Sequence, residues 1–249
     1  MYRSPLVLVH SPLVGALAWQ GVRAELARRG TAAAAPSLAA PMSARPGPYL
    51  PAITAAVSAA VPDGARSVVL VGHSGAGPLL PGIAQGLDVP VSALVYVDAL
   101  LPEPGKAWFD RASASAVTRL RQLQEGDTLP PWDTWFSPEE IAEELPDPAL
   151  RARFSQDLRP LPVAFFEEVT HAPVPAVPAG YLLFSDGYAS SAGQAAGRGW
   201  PVVRLPGPHL AMLTDPEGVA AALLAVLDAL GPAADGGHGP SVRSNTRCQ

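Results

Sequence analysis

A chain of 249 residues with 48% hydrophobic content is long enough to bury one sizeable core. Charged residues make up only 16% and the net charge is -5, so no basic excess exists to neutralise phosphates, and neither nucleic acid nor an anionic membrane surface is an expected partner. The single cysteine, Cys248, excludes an internal disulfide, and its place near the C-terminus argues against a thiol nucleophile or a cysteine metal site.

The opening MYRSPLVLVHSPLVG carries a short apolar run broken by His10 and Pro12, which argues against a signal peptide or membrane span and makes a cytoplasmic protein the expectation. That run, residues 6–10, reads as a first strand. A helix follows over 19–29 and ends at Gly30, and another is expected over 51–60. Residues 67–72 form a second strand, 77–86 a helix and 93–98 a third strand. After a long interruption, 180–184 and, more weakly, 200–205 give two more strands, and 218–230 a closing helix. The strands lack polar alternation, as parallel strands covered on both faces do, and their alternation with helices predicts an α/β fold with a mostly parallel sheet.

The interruption, about 104–175, holds Trp108, Trp132, Trp135, many prolines and acidic helical pieces. It is expected to be an inserted helical lid over the carboxyl ends of the strands, where open α/β sheets keep their ligand crevice. One domain over 1–230 is therefore predicted, followed by a disordered tail, GPAADGGHGPSVRSNTRCQ, over 231–249.

The most informative segment is SVVLVGHSGAGPLLPGIA, residues 67–84. A buried strand runs into Gly72-His73-Ser74-Gly75-Ala76-Gly77 and then a helix begins. Such a strained turn lifts a serine hydroxyl above the sheet, where a base can reach it, and demands very small neighbours. Ala76 stands where a glycine is usual, with Gly77 directly after it. The Gly75 N–H would face a developing oxyanion at the helix start. Ser74 is the candidate nucleophile.

His209 is the candidate base. It follows the last predicted strand in Pro206-Gly207-Pro208-His209-Leu210, just before the closing helix. The other histidines fit less well. His73 adjoins the serine and cannot fold back onto it, His171 lies in the inserted segment and His238 in the tail. His10 ends the first strand, where a structural or pocket-lining role is expected.

With these residues the chain resembles the α/β-hydrolase superfamily over roughly residues 6–230. HSPLVGALAW, residues 10–19, aligns without gaps to the HGAxHGAWxW type of segment of plant methylesterases and hydroxynitrile lyases. GPHLAMLTDPE, residues 207–217, is similar to their DHxxMxxxP segment, which holds the catalytic histidine. The inserted segment matches no such pattern. The resemblance implies an α/β-hydrolase fold.

It also implies a carboxylate to orient the histidine, and two are available. Asp186, in YLLFSDGY, follows the penultimate strand, the superfamily's usual place. Aligned to the strand–TDxD pattern, however, Ser185 and Asp186 take its first Thr-Asp, and Tyr188 falls where the catalytic aspartate belongs. Asp98, in LVYVDALLP, ends the strand after the elbow, the alternative acid position used by some haloalkane dehalogenases. A carboxylate at an apolar strand end needs a partner, so Asp98 is preferred and Asp186 is the runner-up. Glu167 and Glu168 are a third, weaker option and read as a solvated helix face.

The oxyanion loop departs from the pattern. The superfamily's second donor is the backbone N–H after a His-Gly pair. Here the pair is His10-Ser11, and Pro12 has no N–H to give. Leu13 through a shifted loop, the Ser11 hydroxyl, or Gly75 alone must serve. Hydroxynitrile lyases carry a threonine at the position of Ser11, whose hydroxyl contacts the substrate oxygen.

Three functions follow from the sequence. The first is an esterase or thioesterase using Ser74, His209 and an acid on a small, largely apolar substrate, with no metal or organic cofactor. The second is a lyase or cyclase of secondary metabolism with Ser74 and His209 as a proton relay. The third is a non-catalytic ligand-binding member of the fold.

Overall fold

The computed structural model describes residues 4–43 and 47–231. The expected tail after Gly231, with His238 and Cys248, lies outside the described residues. In chain order, β1 (Leu6–Val9) leads to α1 (Leu17–Arg28), β2 (Ala33–Ala34), α2 (Ala39–Ser43) and α3 (Tyr49–Ala59). β3 (Val68–His73) passes through a 3-10 stretch, Ser74–Leu79, into α4 (Leu80–Gly86), and β4 (Val91–Val97) follows. Next come α5 (Ala114–Leu123), β5 (Thr128–Leu129), a 3-10 turn at Trp132–Trp135, α6 (Pro138–Glu144), α7 (Pro148–Asp157), β6 (Leu161–Pro162) and α8 (Val163–Glu167). The chain closes with β7 (Ala179–Leu183), α9 (Ala189–Gly197), β8 (Val202–Arg204), α10 (Ala211–Thr214) and α11 (Pro216–Leu230).

Six strands form one sheet in the order β2-β1-β3-β4-β7-β8, and every pairing is parallel. β1, β3, β4 and β7 look uniformly apolar because both of their faces are buried. On one face Val7, Val9, Val68, Leu70, Leu94 and Tyr96 pack with Ile53 and Val57 of α3 and Leu80 and Ile83 of α4. On the other, Leu6, Leu8, Val69, Val71 and Val95 pack with Trp19 and Val22 of α1 and Leu223 and Val226 of α11. The period-2 alternation of strand side chains divides each of these four strands between two apolar layers.

Two details differ from expectation. β2 has no counterpart among the expected strands, since two alanines at a sheet edge carry no strand signature of their own. The helix expected over 77–86 begins as a 3-10 stretch from Ser74, with Pro78 inside it, and becomes α-helical only at Leu80. Pro78 has no N–H to give, so it can donate no helical bond there.

β1 is followed on one side by β2 and flanked on the other by β3, so the strand order switches there. In open α/β sheets the crevice for a ligand opens at the carboxyl ends of the strands beside such a switch. The ends of β1, β3 and β4 deliver Ser11, Ser74 and Asp98. Among the described residues, no helix is long and apolar enough to cross a membrane.

Candidate functional site

Ser74 and Asp98 are the two non-glycine residues with positive φ among the described residues, at 54° and 41°. For a residue with a Cβ this region costs about 1–3 kcal/mol, and it persists only where the surroundings enforce it. At Ser74 the enforcement is close packing. A Cβ on Gly77 would sit 2.2 Å from the Leu100 carbonyl oxygen and 3.0 Å from the Ala99 Cβ. The Leu100 N–H donates to the Ser74 carbonyl at 3.3 Å. Ala76 is tolerated in the elbow because the close backbone approach falls on Gly77. The Tyr181 hydroxyl, reaching from β7, donates to the Ala99 carbonyl at 2.8 Å and accepts the Ala99 N–H at 2.9 Å. It thereby holds the turn that follows Asp98.

Asp98 is fully buried and meets four donors. Its Oδ1 accepts the N–H groups of Phe184 and Ser185, at 2.9 and 3.0 Å. Its Oδ2 accepts the Ser185 hydroxyl at 2.7 Å and lies 2.7 Å from His209 Nδ1. A carboxylate has only acceptors to offer, so Nδ1 is the protonated nitrogen and Nε2 carries the lone pair a base needs. The structure thus brings Asp98 to His209. Asp186 is 88% exposed at its side chain and pairs with Arg204 at 2.7 Å, away from the imidazole. Glu168 is not a solvated face either. Its carboxylate accepts the N–H groups of Tyr49 and Leu50 at the start of α3, at 2.6 and 2.9 Å, where it satisfies donors that a helix N-terminus leaves open. Glu167 pairs with Arg121.

Two rings pack against His209. Tyr188 stacks on it at 4.8 Å with planes 7° apart, and His73 lies 4.5 Å away at 33°. His73 Nε2 lies 3.1 Å from the His209 carbonyl, an acceptor only, so Nε2 carries a proton. Burial, followed by the neighbouring His209, holds its pKa well below 6.5. The backbone of the histidine loop is pinned again where Glu144 of α6 accepts the Leu210 N–H at 3.1 Å.

Among the described residues, the hydrogen-bond partner of the Ser74 hydroxyl is Tyr188, whose hydroxyl lies 3.1 Å from Ser74 Oγ. Catalytic hydrogen bonds between nucleophile and base often form only once substrate is bound. Burial raises the Tyr188 pKa to about 12, outweighing the opposing hydrogen bond from Ser74. Tyr188 and Ser185 are not among the sequence candidates. Their only signal is that YLLFSDGY puts a tyrosine where the resemblance requires an aspartate.

The loop after β1 is held from several sides. His10 is buried, accepts the Leu38 N–H at Nε2 (3.0 Å) and donates from Nδ1 to the Ser11 carbonyl (2.8 Å). Burial is the main reason its pKa lies below 6.5. The Ser11 carbonyl also accepts the Val14 N–H at 3.0 Å. Ser11 Oγ accepts the Leu13 N–H at 3.3 Å, which commits that donor within the loop and leaves the Ser11 proton free to point elsewhere. Gly75 faces this loop, and a Cβ there would meet Leu13 Cδ1 at 3.0 Å and Ser11 Oγ at 3.1 Å. The Ser11 hydroxyl and Gly75 are therefore neighbours, and the side chain of Leu13 lines the pocket in front of them.

That pocket has a volume of about 930 Å³ and is lined by Ser74, Tyr188 and His209 at its base. Trp132, Trp135, Phe136 and Ile141, from the segment between β4 and β7, form apolar wall, with Arg119 and Glu140 beside them. Among the described residues, no cluster of three His, Cys, Asp or Glu side chains could hold a metal ion.

No curated protein sequence matches this chain. Its fold is that of several solved structures. An extracellular α/β-hydrolase from a Paenibacillus species, described as sharing structural and functional homology with tobacco salicylic acid binding protein 2, superposes with a TM-score of 0.74 at 18% identity, covering 90% of this chain and 98% of that one. A pyrethroid hydrolase from Sphingobium faniae gives 0.69 at 21%, covering 92% and 98%. Tomato methylketone synthase I, in complex with 2-tridecanone, gives 0.68 at 18%, covering 92% and 99%. A family model described as the alpha/beta hydrolase family matches residues 6–222. With that match over most of its length, the chain belongs to the alpha/beta hydrolase family.

Proposed function

We propose that this protein is a serine esterase or thioesterase acting on a largely apolar substrate. Ser74 attacks the carbonyl carbon, and His209 takes the Ser74 proton at Nε2 and returns it to the leaving group. Asp98 holds the imidazole in the required tautomer. Gly75 N–H and the Ser11 hydroxyl receive the developing oxyanion. The observation that carries this reading is the 2.7 Å contact between His209 Nδ1 and a fully buried Asp98, in the same pocket as a serine held in the left-handed region. The pocket of about 930 Å³ is within the range that holds a small molecule, and its Trp and Phe wall suits apolar or aromatic acyl groups. The segment between β4 and β7 supplies that wall and acts as the lid.

A second reading, a lyase or cyclase, is favoured by the loop. Pro12 has no N–H, and the Leu13 N–H is committed to Ser11 Oγ. A proton relay needs a positioned hydroxyl more than a two-donor oxyanion hole. Fold likeness at these identities does not choose between reactions. Turnover of activated esters and thioesters by the wild type and Ser74→Ala separates the readings. Hydrolysis lost in Ser74→Ala supports the first. Serine labelling without any ester turnover supports the second. Stabilisation by apolar ligands without labelling or turnover supports a non-catalytic binding protein.

A further inference from the structure

The hydroxyl of Tyr188 has no part in the triad, yet it holds the reacting oxygen. It lies 3.1 Å from Ser74 Oγ, and its ring lies nearly parallel to the imidazole of His209. We propose that Tyr188 is a further catalytic residue, a hydrogen-bond donor to the leaving group. The proposal rests on the Ser74–His209–Asp98 reading above.

The geometry gives Tyr188 a side of the reaction. The oxyanion side is formed by Gly75 and Ser11, whose hydroxyl sits 3.1 Å from where a Gly75 Cβ would be. Tyr188 stands instead beside the base. The leaving group departs on the base side, because His209 must deliver its proton there. A phenol stacked on that imidazole shares its direction of approach.

The phenol is also in the right state. It donates only while protonated, and burial keeps it so up to about pH 12. In the free enzyme its hydroxyl is paired with Ser74 Oγ. As Ser74 Oγ bonds to the carbonyl carbon, the Ser74 proton passes to His209 Nε2. When the intermediate collapses, the bond between carbonyl carbon and leaving oxygen breaks and its electron pair goes to that oxygen. His209 returns the proton to it. Tyr188 donates a hydrogen bond to the same oxygen throughout and keeps its own proton. The Tyr188 hydrogen bond therefore helps most those esters whose alcohols are poor leaving groups, since these develop the most charge on the departing oxygen.

Tyr188→Phe keeps the ring and its stack on His209 and removes only the hydroxyl. Two acetates of similar shape report on it: p-nitrophenyl acetate, whose leaving group is good, and p-nitrobenzyl acetate, whose leaving group is a basic alkoxide. The expected result is a selective loss. The kcat/KM for the benzyl ester falls by up to roughly 100- to 1,000-fold, the range for removing one transition-state donor, and its ratio to the phenyl ester falls by about tenfold or more. Equal losses on the two esters would make Tyr188 a support for His209 and overturn the proposal, as would no loss on either. In the wild type, kcat/KM is expected to depend only shallowly on leaving-group basicity. A steep wild-type dependence would overturn the proposal without any variant. Fluorophosphonate labelling separates the two layers of the argument. Wild type that fails to label at Ser74 sinks the nucleophile and this proposal together, whereas normal labelling with equal ester losses sinks only Tyr188 as donor.

Discussion

His209 Nδ1 lies 2.7 Å from Asp98 Oδ2, and the two residues are 111 positions apart. The contact exists because the parallel pairing of β4 with β7 brings Asp98 beside Phe184 and Ser185, whose N–H groups hold the carboxylate still. The His209 imidazole is thus oriented from the end of the strand that follows the Ser74 turn, and Asp186 is occupied with Arg204.

The first prediction concerns that choice. Asp98→Asn replaces an acceptor of Nδ1–H by an amide and strands the histidine in the wrong tautomer. Turnover should fall by about 1,000- to 10,000-fold, as in other triads. Asp186→Asn should change it less than about twofold, since a surface ion pair contributes little. Steady-state kinetics on one activated ester decides. The opposite ranking would restore the usual acid position of the family.

The oxyanion loop gives the second. Ser11→Ala removes the hydroxyl that accepts the Leu13 N–H and faces Gly75. Turnover should drop roughly 10- to 1,000-fold. With Pro12 in place, hydrolysis of simple p-nitrophenyl esters should be weak beside that of a good esterase. Pro12→Ala restores an N–H and should raise it. If both substitutions are silent in a fast esterase, another donor serves the oxyanion.

Two glycines should respond in opposite senses. Gly77→Ala places a methyl 2.2 Å from the Leu100 carbonyl oxygen, so backbone must move. Stability should fall by more than about 2 kcal/mol, at the upper end of the range for overpacking, and activity with it, because the same turn holds Ser74. Gly193, inside α9, faces open space, and a methyl added there would meet nothing within 4 Å. Gly193→Ala should add about 0.5–1 kcal/mol through helix propensity. Urea unfolding measures both, and a tolerated Gly77→Ala would remove close packing as the cause of the elbow.

Stability should also depend on pH through His10 and His73. Burial lowers both from 6.5, so the native state keeps them neutral where the unfolded chain takes up protons. Their contribution is complete above about pH 6.5 and is lost as pH falls through that value toward their folded ones, at no more than about 1.4 kcal/mol per pH unit for each. Around His73 the titratable groups that act on it are His209 and His10, and on His10 the charge that acts is that of Asp157. His10→Gln should make that pH dependence shallower. Unfolding free energies that stay level between about pH 7.5 and 5 would contradict this.

What the sequence made legible was local. The sheet could be read because five of its strands are apolar runs separated by helices, and the elbow because glycine spacing and a serine share one short segment. His209 followed from its place between a strand and the closing helix. The rest depends on contacts between distant segments. Asp98 could be favoured over Asp186 only on position, because its four donors come from residues 184, 185 and 209. Glu168 looked like surface because the helix it caps lies 118 and 119 residues earlier. Tyr188 was visible only as a missing aspartate, since a tyrosine in a turn has no signature for a contact 114 residues away.

The most direct test of the account is the rate and position of fluorophosphonate modification in the wild type, Asp98→Asn and Asp186→Asn, with the adduct located by peptide mass spectrometry. The account predicts one adduct, on Ser74, formed at least about 100-fold more slowly in Asp98→Asn and at the wild-type rate in Asp186→Asn. An adduct on another residue, or a rate that depends on Asp186 and not on Asp98, would contradict it.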